Sequence, residues 1–173
     1  MLKQDRRQAL EWFLASDRQG DSVAQYNLGV KYMDGYGVCS DRGEAQRWLE
    51  LAAKQGYTAA QCRLGWFYYG AEGPNQDLEQ AAFWFGVASR HGDPFSLCAL
   101  GVMAANGEGV PRDSVAAFAY LSLSGEAGYG EAMETRRQLE WTMTPHEVRH
   151  GQKLAESWKS ERGIPSSRLR KIG

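Results

Sequence analysis

One segment of the chain has the residue types and spacing of a zinc hydrolase. His146, Glu147 and His150 form an HExxH motif, in which two histidines four residues apart share a helix face and can ligate zinc while the glutamate acts as general base. The neighbouring residues do not favour this chemistry. Glu147 stands three residues after Thr144 and so completes a capping box at a helix start, Arg149 places a charge inside the motif, and no third ligand is evident. We therefore predict no metal and no cofactor.

The three cysteines do not indicate a second reactive site. Cys39, Cys62 and Cys98 are odd in number, and no two of them have the CxxC spacing of a redox or zinc site. Cys62 and Cys98 fall at equivalent positions of neighbouring helices, and helix axes about 8–10 Å apart hold such a pair too far apart for an undistorted disulfide. We predict free thiols.

Composition and charge exclude several classes of partner. Of the 173 residues, 20 are basic and 21 acidic, giving a formal charge of −1, whereas a nucleic-acid-binding domain normally carries a basic excess. No window approaches the ~18 apolar residues that a membrane span requires. The first residues are charged and build no apolar stretch, so the sequence as given predicts a cytoplasmic location, or a periplasmic or secreted one if a leader has been removed. Neither nucleic-acid binding nor a membrane span is predicted.

The secondary structure of the chain can be predicted from a sequence repeat of 36 residues. Leu28, Leu64 and Leu100 are 36 apart, and each is followed by glycine. The same interval separates further matching residues, namely Asp41, Asp77 and Asp113; Ala45, Ala81 and Ala117; Trp48, Trp84 and Tyr120; and Gly56, Gly92 and Gly128. A step of 36 back lands on Asp5, Ala9, Trp12 and Gly20, so the chain begins halfway through a repeat. A period of about 20–50 residues is the signature of a solenoid.

Each repeat is predicted to form two helices. Ala24, Leu28 and Tyr32 lie on one face of the first helix, which ends at a glycine-rich turn. The second begins at an aspartate and ends at a glycine, and three of these aspartates have the spacing of a capping box, namely Asp5 with Gln8, Asp41 with Glu44 and Asp77 with Gln80. We predict an all-α fold of about nine helices and no sheet, over residues 3–19, 22–34, 42–55, 58–70, 78–91, 94–106, 114–127, 131–142 and 145–160.

The repeat pattern resembles the Sel-one-like repeat family, a branch of the tetratricopeptide superfamily. Its cleanest copy reads YNLGVKYMDGYGVCSDRGEAQRWLELAAKQG, and the resemblance covers about residues 3–132. It implies a right-handed α-solenoid of antiparallel helix pairs that serves as an adaptor or scaffold. The third repeat departs from the pattern, because Ala104 replaces the tyrosine and Ser124 with Gly125 replaces the paired alanines.

The ends of the chain differ from the repeats. Residues 1–20 are predicted to form a half-repeat helix and residues 21–132 three full repeats. Arg136 and Arg137 stand where leucine and glycine stood, so residues 133–160 are predicted to be capping helices, which a repeat array needs for solubility. Residues 161–173 are predicted to be a basic, flexible tail.

A second stripe on the first helices is unusually apolar for a surface that meets water. The concave face implied by the resemblance would carry this stripe, and its candidate partner-binding residues are Tyr26, Val30, Met33, Cys62, Arg63, Trp66, Tyr69, Phe95, Cys98, Val102 and Trp141. Two interpretations remain open. The stripe is either part of the packing between neighbouring helices or a groove for a partner segment, with Arg63 as a polar anchor.

From these observations we predict a non-enzymatic adaptor that binds a protein or peptide on its concave helical surface. Two alternatives belong to different classes. One is an immunity or inhibitor protein that neutralises a toxic enzyme, and the other is a zinc hydrolase that uses the HExxH segment. The sequence leaves the partner's identity and the oligomeric state open, a monomer being one option.

Overall fold

The structure, a computed structural model, describes residues 21–70 and 76–162. Every regular element in those two stretches is an α-helix. We number them in chain order as α1 Ser22–Asp34, α2 Arg42–Lys54, α3 Thr58–Tyr69, α4 Leu78–Ser89, α5 Pro94–Asn106, α6 Ser114–Glu126, α7 Gly130–Glu140 and α8 Pro145–Arg162. None of these helices combines the length and apolarity that crossing a membrane requires.

The predicted helices agree with the observed ones to within about two residues at each end, as expected for pattern-based boundaries. The helix predicted at 3–19 lies outside the described residues, as does the predicted tail from residue 163 onward. The last helix continues to Arg162 and so runs two residues into the predicted tail. The all-α class and the pairing of helices are confirmed.

The chain divides into two compact units, the first ending at Phe67 and the second beginning at Tyr68. In the first unit α1 packs against α2, and fully buried leucines and alanines fill the space between them. Gln61 of α3 donates its side-chain amide to the carbonyl of Ala53 at 3.1 Å, and Arg42 donates to the carbonyl of Phe67 at 2.9 Å. These two bonds hold α3 to both ends of α2.

The second unit is built on α6, which contacts α5, α7 and α8. Phe85, Leu100 and Met103 form one apolar cluster with the alanines of α4 and α5. Leu97 and Leu123 form another with Ala155 of α8. Both C-terminal helices, α7 and α8, lie against α6, and the capping role predicted for this segment stays a prediction.

A backbone hydrogen bond links the two helices of each pair. It also affects the capping boxes that were predicted at the N-cap aspartates. The N–H of the N-cap aspartate donates to a carbonyl near the end of the preceding helix, in the pairs Asp41 to Tyr32, Asp77 to Tyr68 and Asp113 to Ala104. The aspartate side chains do accept from first-turn N–H groups, as predicted. For Asp41 and Asp77, this bond takes the N–H that the reciprocal half of a capping box would use; in the third pair, Ala116 stands where the Glu or Gln would be.

The third repeat keeps this geometry despite its altered residues. Ser124 occupies a position that is alanine in the two preceding full repeats, and its side chain is fully buried. A buried hydroxyl needs a partner, and Ser124 Oγ donates to the carbonyl of Pro94 at 2.6 Å. The serine therefore adds a hydrogen bond between α5 and α6 where the alanines of those two repeats only pack.

Candidate partner-binding surface

In the first unit, six of the predicted stripe residues lie on α1 and α3. Tyr26, Val30, Met33, Cys62 and Arg63 are half-buried, and the indole of Trp66 is 44 % exposed. None of the six is fully buried, whereas Leu28 and Leu64 on the same helices are completely enclosed. The six predicted residues therefore retain contact with solvent, unlike the two leucines.

An aromatic pair holds Tyr26 in place on this surface. Its ring meets the ring of Tyr57 edge-on, with 5.3 Å between centroids, a geometry favoured by the ring quadrupoles. Tyr57 follows Gly56, whose φ of +87° belongs to the left-handed region that glycine adopts easily. The sequence analysis missed Tyr57, although the glycine–tyrosine pair recurs 72 residues later as Gly128 and Tyr129.

In the second unit, the predicted stripe residues differ in how they are held. Phe95 is 48 % exposed and Trp141 is 87 % exposed, while Tyr69, Cys98 and Val102 are half-buried. The structure places Trp141 just after the end of α7, as the most exposed of the large apolar side chains described. It is therefore not on a first-helix face of a complete repeat.

Both the ring and the hydroxyl of Tyr69, a residue of the predicted stripe, make contacts within the second unit. Its ring packs beside the apolar cluster of α4 and α5, and its hydroxyl donates to Glu108 Oε2 at 2.9 Å. Partial burial, together with the hydrogen bond to Glu108 and its negative charge, raises the pKa of Tyr69. This contact spans 39 residues of sequence, so spacing within one helix did not reveal it.

Phe95 and Cys98 lie beside the turn that leads into α7. The rings of Phe95 and Tyr129 are 4.8 Å apart, and the Tyr129 hydroxyl donates to Glu131. That hydrogen bond, with burial and the charge of Glu131, raises the pKa of Tyr129 to about 12. Burial and then the charge of Glu131 also raise the pKa of the Cys98 thiol, which disfavours the nucleophilic thiolate. All three cysteines are free, as predicted.

Among the described residues, five large apolar side chains outside the predicted stripe are also exposed, and Phe83 is the most exposed of them; the others are Val23, Tyr36, Leu51 and Met133. Phe83 lies on α4, the second helix of its pair, and is 58 % exposed, with its ring 5.2 Å from that of Trp84. The equivalent residues one repeat before and after are Arg47 and Ala119. Aligning the repeats would therefore have shown that Phe83 is apolar at a position where the preceding repeat carries the charged Arg47.

The HExxH segment forms a helix cap, as the sequence predicted. Glu147 Oε2 accepts from the N–H of Thr144 at 2.7 Å and from its hydroxyl at 2.8 Å, while the N–H of Glu147 donates to Thr144 Oγ1 at 3.3 Å. Both halves of the capping box are thus formed, with the carboxylate directed at the cap. The ring centroids of His146 and His150 are 6.4 Å apart on the exposed face of α8. Within residues 21–70 and 76–162, no group of three or more His, Cys, Asp or Glu side chains is arranged to hold a metal ion.

This cap leads to a prediction for Thr144→Ala. Hydrogen bonds from the backbone N–H of Thr144 and then from its hydroxyl lower the pKa of Glu147. The carboxylate therefore stabilises the folded state above the ordinary glutamate pKa of about 4.3, and this contribution is lost as the pH falls through the lowered value. Thr144→Ala should raise the pKa of Glu147 and lower the free energy of unfolding by the ~0.5–2 kcal/mol typical of a lost cap.

Carbon-13 NMR titration of the Glu147 carboxylate and urea denaturation would measure both effects. The matched control is Thr135→Ala, because the hydroxyl of Thr135 donates only to the carbonyl of Glu131 within α7. An unchanged Glu147 titration in Thr144→Ala would contradict the contribution of the Thr144 hydroxyl to the lowered pKa.

Comparisons with known proteins are consistent with this architecture. A family model described as the Sel1 repeat matches residues 1–21, 22–57, 58–93 and 94–129. The crystal structure of a Sel1 repeat protein from Oxalobacter formigenes is 35 % identical with a TM-score of 0.70, over 78 % of this chain and 39 % of that one. A protective antigen of uropathogenic Escherichia coli strains, which displays an SLR fold, is 24 % identical with a TM-score of 0.54, over 95 % of this chain and 44 % of that one. The chain thus spans about two fifths of each solved structure. No curated protein matches.

Proposed function

Because the chain belongs to the Sel1 repeat family, we propose that it is a non-catalytic adaptor that binds a protein or peptide on the solvent-facing side of its first helices. Sel1 repeat proteins are generally protein-interaction scaffolds.

The observation that carries the proposal is the exposure of two large aromatic side chains on first helices. Trp66 on α3 is 44 % exposed and Phe95 on α5 is 48 % exposed. Removing apolar surface from water is favourable by about 25 cal/mol per Å². A partner that covers the exposed parts of these two rings would therefore gain this transfer free energy on binding. Trp is also enriched among the residues that dominate interface energetics.

Each unit carries its own proposed partner-binding surface. In the first unit it consists of Tyr26, Val30, Met33, Cys62, Arg63 and Trp66, and in the second of Tyr69, Phe95, Cys98, Val102 and Trp141. Apolar complementarity supplies most of the affinity, and the guanidinium of Arg63 supplies a polar anchor for a carbonyl or carboxylate of the partner. In each unit, the half-buried members shape the surface beside the exposed ring, which is Trp66 in the first unit and Phe95 in the second.

Competing with this proposal is the interpretation that the stripe belongs to the internal packing. Tyr69 favours that interpretation at its own position, since its ring and hydroxyl are both engaged within the second unit. Internal packing does not account for Trp66 and Phe95, because about half of each side chain faces solvent. The test therefore rests on these two positions.

Site-specific photo-crosslinking in the cells that make the protein tests the proposal. Benzoylphenylalanine would replace Trp66, Phe95 or Phe83 in the full chain, one position at a time. We expect discrete protein adducts from positions 66 and 95 and none in common from position 83, which is more exposed than either but lies on a second helix. Adducts that form only from position 83 would place the partner on the other face and contradict the proposal.

A further inference from the structure

The outward face of α8 carries four basic side chains. His146, Arg149, His150 and Lys153 lie at i, i+3, i+4 and i+7, which places them on one side of the helix, and all four are exposed. Together they line an open groove of about 260 Å³. The opposite side of α8 faces the protein, where Gly151 is buried so close to Phe118 that an added Cβ would meet its ring at 2.7 Å.

The two α8 glutamates that are close to these residues in sequence, Glu147 and Glu156, have hydrogen-bond partners elsewhere. Glu147 accepts from Thr144 at the cap, and Glu156 accepts from Lys159 at 2.8 Å. Lys159 also binds Glu126 of α6 at 2.6 Å, on the inner side of the helix. Within the part of the chain that the structure describes, Arg149 and Lys153 form no hydrogen bond or ion pair. The positive charge of this face is therefore presented to solvent.

Helix stability does not account for the arrangement. On α2 and α7, Arg47, Lys54 and Arg137 are each paired with a glutamate three or four residues away. On α8, by contrast, Arg149 and Lys153 are like charges four residues apart, a spacing that disfavours the isolated helix. A surface that is locally unfavourable and matched by no internal partner indicates a partner of opposite charge.

We propose that the outward face of α8 binds an acidic polypeptide segment, a run of aspartate and glutamate on a protein partner. Carboxylates spaced along a peptide can pair with Arg149 and Lys153 while the two histidines donate hydrogen bonds between them. This surface is separate from the first-helix residues of the proposed adaptor site, so neither proposal depends on the other.

Two other anionic partners fit the surface less well. A helix that binds a membrane inserts an apolar face, but the apolar side chains of α8, Leu154, Ala155 and Trp158, are packed into the second unit. Nucleic acid is normally bound by a domain with a basic excess, whereas this chain has a formal charge of −1. A short acidic segment needs only the local charge that α8 offers.

Fluorescence anisotropy with a labelled ten-residue (Asp-Glu)₅ peptide and the full chain tests this proposal. We expect binding at low ionic strength that weakens about tenfold or more as salt is raised to ~0.3 M, because exposed charges are screened. Arg149→Ala with Lys153→Ala should weaken peptide binding at least tenfold. The matched control, Arg47→Ala with Lys54→Ala, removes the same charge from α2 and should change binding less than twofold.

Each other outcome would overturn the proposal. Equal losses in the two double variants would show a general attraction without a site, as would the absence of peptide binding to the parent chain. Tighter binding to a (dT)₁₀ oligonucleotide or to vesicles containing phosphatidylserine would assign the face to nucleic acid or to a membrane. Circular dichroism confirms that α8 is retained, and Arg149→Gln with Lys153→Gln provides a second charge-removing variant should the alanine variant lose helix content.

Discussion

Gly101→Val is expected to destabilise the protein by ~1–3 kcal/mol or more, the cost of overpacking a close helix contact. A Cβ at position 101 would lie 2.6 Å from Leu121 Cγ and 2.9 Å from its Cδ2, with the carbonyl oxygen of Ala117 at 3.3 Å. Leu121 is completely buried and the carbonyl belongs to helix backbone, so neither can retreat easily. Valine adds two further methyl groups to the same gap between α5 and α6.

The same glycine–leucine contact occurs two repeats earlier, so the prediction can be tested a second time. At Gly29 of α1, an added Cβ would lie 2.7 Å from Leu49 Cγ and 2.9 Å from its Cδ2. Gly29→Val should therefore destabilise to a similar extent. Gly86→Val in α4 is the matched control, because a Cβ there meets nothing within 4 Å. Gly86→Val should leave stability unchanged or raise it by a few tenths of a kcal/mol, as helix propensity predicts.

Urea denaturation of the single variants and of Gly101→Val with Leu121→Ala measures whether the two residues interact. Leu121→Ala alone leaves a cavity and should cost ~2–5 kcal/mol. In the double variant, valine occupies part of that cavity, so the total loss should fall short of the sum by at least ~0.5 kcal/mol. Strict additivity, or a Gly101→Val variant as stable as the Gly86→Val control, would contradict the close contact.

The second large effect is expected on partner binding. Trp66→Ala and Phe95→Ala should each weaken binding more than tenfold, since truncating a central aromatic hot spot costs ~2 kcal/mol or more. Phe83→Ala is the matched control, because it removes an aromatic ring of similar exposure from a second helix. It should change binding less than twofold. Pull-down of the crosslinked partner, followed by titration with that purified partner, provides the measurement.

Stability separates loss of the surface from loss of the fold. Trp66 and Phe95 are about half exposed, so their truncation should cost far less stability than a large-to-small change in the core. A variant that melts like the parent and no longer binds supports the adaptor surface. If Trp66→Ala instead unfolds the chain, the stripe contributes to the core, and if all three variants bind normally, the partner occupies another surface.

Local sequence patterns predicted the helices and their ends. An aspartate N-cap, a capping box at Thr144 and a glycine with positive φ at Gly56 each depend on residues only a few positions apart. Their backbone preferences are nearly independent of what packs against them. The 36-residue period then predicted helix pairs, because equivalent residues in successive copies can only bury their apolar faces against one another.

Tertiary structure decided what those helices present to solvent. Trp66 and Tyr69 lie three residues apart in the same predicted stripe, yet one indole is half exposed and one hydroxyl is bound to Glu108. Exposure and hydrogen bonding depend on which neighbouring element covers each side chain, and the periodicity of a single helix carries no information on its neighbours. The same reason applies to α8, where the sequence placed His146 and His150 on one face and only packing against α6 turned that face outward.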